Sequence, residues 1–477
     1  MMRLLLVCLA CPALAAWAGE PVTVQGGYSE LVFDGGPTPV SWTICERRCD
    51  DLSARRAQVF SVADGGFSAT STSLADVNDG SFSVSIERTA ERVRVIADDG
   101  RDRFVYELLH GSAELRMELP EATTLELATG SAFVPEQLPG FGRIYSRVKP
   151  VTVSEDGQEV YSDALSAQSS VAITTSSDRW SGIRNRYWAW LVQPQQPAAA
   201  EFSSAGQDRP VLLLAGSRVL RIYAGPVEWQ SLRAVSPELS EMLFAALWDA
   251  LRALTFGMMM LYALILGGVG NHGLAIILLS LAVKILMYPL TALADRWQRE
   301  VNEAHSVLQP EIDAIRRSYK GEEAHNRTLE VYRKHSISQF YTFKSAAGFL
   351  IQIPVFIAAF DMLAENFVLN QIAFLWITDL AKPDAVAALP FALPFFGAYL
   401  NLLPFLMAAL SALAALLQRE ASLSAALQRQ QSIRLYLLSA AFFVLFYTFP
   451  SGMVLYWTSS NLFHLLKVES GRFFVRK

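Results

Sequence analysis

Cysteine, histidine and charge are all scarce in this chain. Its 477 residues include 4 cysteines and 6 histidines. The histidines (His110, His272, His305, His325, His335 and His464) form no ligand pair with one another or with the cysteines, so no metal site is expected. Charged residues make up 18% of the sequence, below the roughly 25% usual for soluble domains. The net charge of -5 gives no general affinity for nucleic acid, and no specific nucleic-acid recognition is expected. There is no nucleophile elbow and no glycine-rich phosphate loop. Nothing therefore points to an enzyme or to a cofactor. What the chain has in quantity is apolar side chains, 52% of the total, arranged in long runs over the second half. Lipid is the expected solvent for that half.

The opening MMRLLLVCLACPALAAWAGE has one basic residue, a short apolar run and a small-x-small ending at Ala16-Trp17-Ala18. It reads as a signal peptide cleaved after residue 18, an uncleaved signal anchor being the competing reading. Cleavage removes Cys8 and Cys11. Cys45 and Cys49 then remain in an exported segment, where a disulfide and a pair of free thiols are both open.

Residues 22–235 carry alternating runs such as SFSVSIE, RVRVIAD, RFVYELL, LRMELP and TLELAT, separated by Gly, Asp, Asn and Pro. Period-two alternation between turn formers predicts half-buried strands, here an exported β-sandwich domain. Residues 236–270 change character. Asp249 and Arg252 share one face of an apolar helix that ends in GGVGN, which predicts an amphipathic helix lying in the membrane interface.

Five transmembrane helices are expected after it, at 271–293, 345–366, 395–417, 433–449 and 451–467. The loop 294–344 holds nine Lys and Arg residues, including Arg296, Arg299, Arg316, Arg317 and Lys344, and Arg419, Arg429, Arg472, Arg476 and Lys477 follow in a short loop and the tail. The intervening loops hold only Lys382. The positive-inside rule then puts 294–344 and the tail 468–477 in the cytoplasm. Parity agrees only if the 236–270 segment does not cross. Leu308, Ile312, Ile315 and Tyr319 recur at helical spacing, Lys320-Gly321 offers a turn, and Leu329 and Tyr332 continue the pattern, so 294–344 is expected to be a cytoplasmic helical hairpin.

Lys284 interrupts the first span. It lies about 12 Å from the expected cytoplasmic end at the helical rise, where a lysine facing lipid costs roughly 2.5 to 3.5 kcal/mol. It is therefore expected to face protein or water. Ser280 lies one turn above it on the same face, and Gln352 falls at a comparable depth on the next span, which together suggest a polar pocket. Asp361 belongs more than about two turns nearer the outer surface and is a poor ion-pair partner for Lys284.

These residues also carry a resemblance. GNHGLAIILLSLAVKILMYPLTALA, LQPEI, FLIQIPVFIAAF and FPSGMVLYWTSSNL, in that order, resemble the core of the YidC/Oxa insertase family, and WSGIRNRYWAWLVQP and IYAGPVEWQSL resemble the end of that family's periplasmic domain. The resemblance implies a membrane insertase and chaperone of the bacterial inner membrane. Its five core helices would surround a hydrated groove, closed outward, that receives hydrophilic segments of nascent membrane proteins. Lys284 would take the place of the groove arginine, with Ser280, Gln352, Tyr456 and Trp457 lining or flanking it, although Tyr456 and Trp457 are also ordinary interfacial belt residues. The partners implied are nascent membrane proteins and the lipid bilayer, with the Sec translocon and the ribosome as further candidates.

The chain departs from the family pattern in its lysine, in HSISQFYTFKSAAGF where members show Asn-Pro and small residues, and in Asp361 where an aromatic is common. A polytopic transporter or channel with a ligand-binding exported domain is the alternative. Such a transporter favours intramembrane carboxylates and an internal repeat, neither of which is evident beyond Asp361.

Overall fold

The computed structural model describes residues 21–71, 82–162, 165, 170–204, 209–335, 343–417 and 425–475. The expected signal peptide, and residues 336–342 of the segment that departs from the family pattern, lie outside them. The chain forms two compact units. One contains residues 21–138, Arg143–Ala246 and Glu365–Phe367; the other contains Pro139–Gly142, Leu247–Ala364 and Val368–Lys477.

The first unit is β-rich. The alternating segments become Ser83–Arg88, Arg92–Asp98, Arg103–Leu109 and Glu114–Glu118, consecutive antiparallel strands of a nine-stranded sheet. Val219–Pro226, Trp188–Pro194, Trp180–Arg184, Lys149–Ser154 and Gly157–Val160 complete it. The register sets Glu87 opposite Arg94, Arg94 opposite Glu107 and Glu107 opposite Arg116. Opposite charges thus face one another along the outer surface, while Val93, Val95, Tyr106, Leu115 and Met117 turn into the core.

A five-stranded sheet (Ser170–Thr175, Ala198–Ser204, Pro210–Ala215, Thr123–Ala128, Gly66–Ser71) and a four-stranded one (Val22–Gly26, Ser29–Phe33, Ser41–Cys45, Arg56–Phe60) supply the rest of that core. All three sheets meet at the ring of Trp42, which lies edge-on to Trp190 at 5.5 Å and to Phe67 at 5.9 Å. Cys45 and Cys49, both buried, are joined in a disulfide. In WSGIRNRYWAWLVQP, Asn185 holds the turn between two strands. Its carboxamide oxygen accepts from the backbone N–H groups of Tyr187 and Trp188, and its NH2 donates to the carbonyl of Phe133.

This unit runs to Ala246, beyond the expected boundary at 235. Helix α1 (Trp229–Val235) and the turn Pro237–Met242 pack on it through Leu232, Leu239, Met242, Leu243 and Phe244, all buried. Its last piece comes from further along the chain. The Phe367 ring lies edge-on to Trp188 at 5.0 Å, and the Arg55 guanidinium sits 4.3 Å above it. Arg55 also donates to the Phe367 carbonyl at 2.8 Å and is itself held by both carboxylate oxygens of Glu46 at 3.0 and 2.7 Å.

The second unit is helical. It comprises α2 (Asp249–Val269), α3 (His272–Ser318), α4 (Gly321–Lys334), α5 (Phe343–Glu365), α6 (Leu402–Leu417), α7 (Ala425–Phe446) and α8 (Ser451–Val475). Among the described residues, α2 and the His272–Ala304 part of α3 are long and apolar enough to cross a membrane. Length alone therefore does not separate an interfacial from a spanning α2. The expected span 395–417 begins later as helix. Ala387–Leu393 and Gly397–Leu400 pair as an antiparallel hairpin, with Gly397 at φ +86°, and α6 starts only at Leu402. The carboxylate of Asp384 accepts from the N–H groups of Leu402 and Leu403 and so caps that start.

α3 runs unbroken through Pro289 and Pro310 into a helical hairpin with α4, turning at Gly321 (φ +65°). Leu308 and Ile312 pack on Val331, flanked by Ile315 and Tyr332, as the helical spacing predicts. The glutamate of LQPEI clasps the free end: Glu311 accepts from His335 Nε2 at 2.8 Å and from Lys334 Nζ at 3.0 Å. Those bonds, the His335 one first, hold the Glu311 carboxyl below its ordinary value of 4.5. A depressed folded value means the clasp is present above the unfolded glutamate value and is lost as pH falls through the folded one. Glu311→Gln is accordingly expected to speed amide exchange along Gly321–Lys334 at neutral pH, with the difference from the unsubstituted chain disappearing once Glu311 is protonated. An equal difference at both pH values would mean that the carboxylate charge is not what holds the hairpin end.

Candidate functional site

One end of the helical unit is closed by the 368–401 loop, and the motif glycines make that closure possible. Asn271 caps α3 by accepting from the N–H of Leu274. A Cβ on Gly273 would lie 2.0 Å from the ring of Phe374, so only glycine lets that ring sit on the helix start. At the start of α8, Ser451 donates its N–H to the Lys382 carbonyl and its hydroxyl to the Asp379 carbonyl. The N–H of Gly452 reaches the Leu380 carbonyl. Asp379 organises the loop itself by accepting from the N–H groups of Gln371 and Ala381. With Asp384 capping α6, the loop satisfies the starts of two helices and lays the Phe374 ring on the start of a third.

Lys284 lies deeper, half-buried on α3, which packs along α8. Ser280 is one turn away and only 1% exposed. Its hydroxyl donates to the Ile277 carbonyl at 2.8 Å, so its hydrogen bond is spent inside its own helix. On the other side of Lys284 come Tyr288 and then Asp295, at spacings of four and seven residues that keep one helical face. α8 supplies His464 and Lys467, three apart. The Lys467 ammonium lies 3.6 Å from the Asp295 carboxylate and 5.4 Å from the centre of the Tyr288 ring. Lys284 feels the charge of Lys467, and His464 feels both lysines and Asp295. The result is a polar path along the α3–α8 seam with a cation at two levels.

Gln352 is on the exposed side of α5. Tyr456 is 8% exposed and, with Phe356, Phe360, Leu363 and Phe446, lines a small apolar cavity. Trp457 packs against Phe356 at 4.8 Å, Phe442 at 5.3 Å and Phe446 at 5.8 Å. Among the described residues, the ring contacts of Trp457 are with α5 and α7. One turn before His464, Asn461 donates to the Ser411 hydroxyl at 2.7 Å and ties α8 to α6.

Sequence reasoning passed over Tyr288, Asp295, His464 and Lys467. The available signal is the spacing: Lys284, Tyr288 and Asp295 fall on one face, and His464 and Lys467 on another, but Lys467 is the last residue of the expected span 451–467 and His464 forms no ligand pair. Chemically the arrangement can hold an anion, a carboxylate above all. Among the described residues no group of three His, Cys, Asp or Glu side chains could hold a metal.

Comparison with known proteins places this region. Residues 264–469 match the family model described as 60Kd inner membrane protein. Among curated proteins, the membrane protein insertase YidC of Cellvibrio japonicus is 27% identical over 305 residues, covering 61% of this chain and 50% of that protein. The Chlamydia muridarum protein of the same name is 30% identical over 272 residues, covering 53% and 34% respectively. The Helicobacter pylori one is 29% identical over 296 residues, covering 59% and 48%. The matched parts thus span about half or less of the length of these relatives.

Proposed function

Because residues 264–469 match the 60Kd inner membrane protein family model and the chain is similar to membrane protein insertases named YidC, we propose that it is a membrane protein insertase of the bacterial inner membrane, and not an enzyme. The observation that supports this best is Lys284, half-buried on the α3–α8 seam, in a unit whose opposite end is closed by the 368–401 loop. A cation held off the lipid shortens the apolar barrier that a polar segment must cross. The apolar helix that follows such a segment can then leave sideways into lipid. Neither step needs a nucleotide or a metal.

In this reading the first unit lies in the periplasm, and the hairpin and the C-terminal tail lie in the cytoplasm, following the lysine and arginine asymmetry of the loops. α2 lies in the interface with Asp249 and Arg252 toward water. Ser280 shapes the α3–α8 seam, Gln352 offers an amide on α5, and Tyr456 and Trp457 form the aromatic wall along which a client helix slides. Nascent membrane proteins and the bilayer are the partners; the Sec translocon and the ribosome fit the exposed hairpin as further ones.

Depletion of the protein followed by protease mapping of newly made small membrane proteins tests the reading. Accumulation of uninserted clients is expected. Normal insertion of every client, with loss of a solute flux instead, would overturn the insertase reading in favour of a transporter.

A further inference from the structure

The α3–α8 seam carries more charge than one groove cation requires. Going back along α3 from the hairpin, Asp295 comes first, then the Lys467 ammonium over the Tyr288 ring, then Lys284, which lies about 16 Å along α3 from Asp295 at the helical rise. Asp295 and Lys467 stand 3.6 Å apart, and their side chains are 57% and 52% exposed. A pair so wet is worth only about 0.2 to 1 kcal/mol, so an incoming carboxylate can exchange with Asp295 at little cost. Lys284 is more buried, and the carboxylate on its own face of α3, Asp295, is paired with Lys467 instead. His464 lies between the two lysines on α8 and feels both.

We propose that Lys467 is a second, outer receiving cation, held at rest by Asp295 and released to a client carboxylate before that segment moves inward to Lys284. This rests on the insertase reading and adds a residue pair that selects among its clients. Segments with two or more acidic residues engage both levels at once, whereas a segment with one acidic residue occupies them in turn. Asp295 acts as a competitor that weakens capture and helps later release. The carboxylate hands over between ion pairs, so no bond is made or broken and no proton has to move.

The test is a set of insertion reporters that differ only in carrying zero, one or two acidic residues in the translocated segment, run against Lys467→Gln, Lys467→Arg and Asp295→Asn at matched protein levels. Lys467→Gln is expected to lower insertion of the two-carboxylate reporter by about two- to fivefold, the range set by a partly exposed ion pair, and to leave the neutral reporter unchanged. Lys467→Arg should restore it, and Asp295→Asn should raise capture of the acidic reporter, read as crosslinking to α8. A loss that is equal for all three reporters, or that Lys467→Arg fails to restore, would make Lys467 a packing residue and overturn the proposal. If no reporter depends on the unsubstituted protein at all, the insertase reading itself fails, which is a different outcome on the same gel.

Discussion

Lys284→Glu is expected to abolish insertion of clients with acidic translocated segments, while Lys284→Arg keeps it and Lys284→Ala falls between according to client charge. Lys284 lies on a half-buried helical face where water screens poorly, so charge is the quantity that matters there. Bringing a client carboxylate against a glutamate costs several kcal/mol as a like-charge encounter, which corresponds to a loss on the order of a hundredfold or more. Arginine keeps the charge and adds a planar fork that can grip a carboxylate with two parallel hydrogen bonds. Alanine removes the attraction without adding repulsion, so a neutral client should hardly notice it. Pulse labelling with protease protection at equal expression reads all three variants. Equal activity of the three would remove Lys284 from the mechanism.

Phe367→Ala should strongly destabilise the β-rich unit. Phe367 is 2% exposed, packs edge-on against Trp188 and lies under the Arg55 guanidinium. Truncating a buried phenylalanine costs about 3 to 5 kcal/mol, and the lost ring face also removes a cation–π contact of about 0.5 to 2 kcal/mol. Arg55 keeps its Glu46 partner in either case, so the loss should report the ring rather than an orphaned charge. The check is thermal unfolding of the β-rich unit in the intact, detergent-solubilised chain, followed by limited proteolysis. Phe367→Leu should recover much of the loss; an unchanged melting profile for the alanine variant would show that the ring contributes no net stability.

Much of this was legible in the sequence because periodicity reports which face is buried. Strict alternation gave Arg92–Asp98 and Arg103–Leu109 with their inward valines and aromatics, and three- and four-residue spacing gave the Leu308–Ile312 stripe of the hairpin. Lys284 was legible for another reason: a lone charge in an apolar run has to be accommodated. The start of α6 was not, since FFGAYLNLL is apolar enough to pass for helix, and only the pairing of Gly397–Leu400 with Ala387–Leu393 excludes it. Lys467 and Asp295 were missed because their importance lies in a contact between α3 and α8, residues 172 positions apart, which no local pattern encodes. The role of Ser280 was also hidden, because a hydroxyl on a polar face can equally spend its bond on its own backbone, as it does toward Ile277.

The insertion of Glu365–Phe367 into the β-rich unit has a consequence for the timing of synthesis. The unit's own continuous chain ends at Ala246, and its last three residues appear only after a further 118 residues, 247 to 364, have been made. At roughly 5 to 20 residues per second, that is a wait of about 6 to 24 s, during which the Trp188 and Arg55 surface has no Phe367 to cover it. The unit therefore cannot finish folding as its strands emerge. It is completed only once α2, α3, α4 and α5 exist, so the ribosome delivers the closing piece of the β-rich unit from the far side of about half of the helical one.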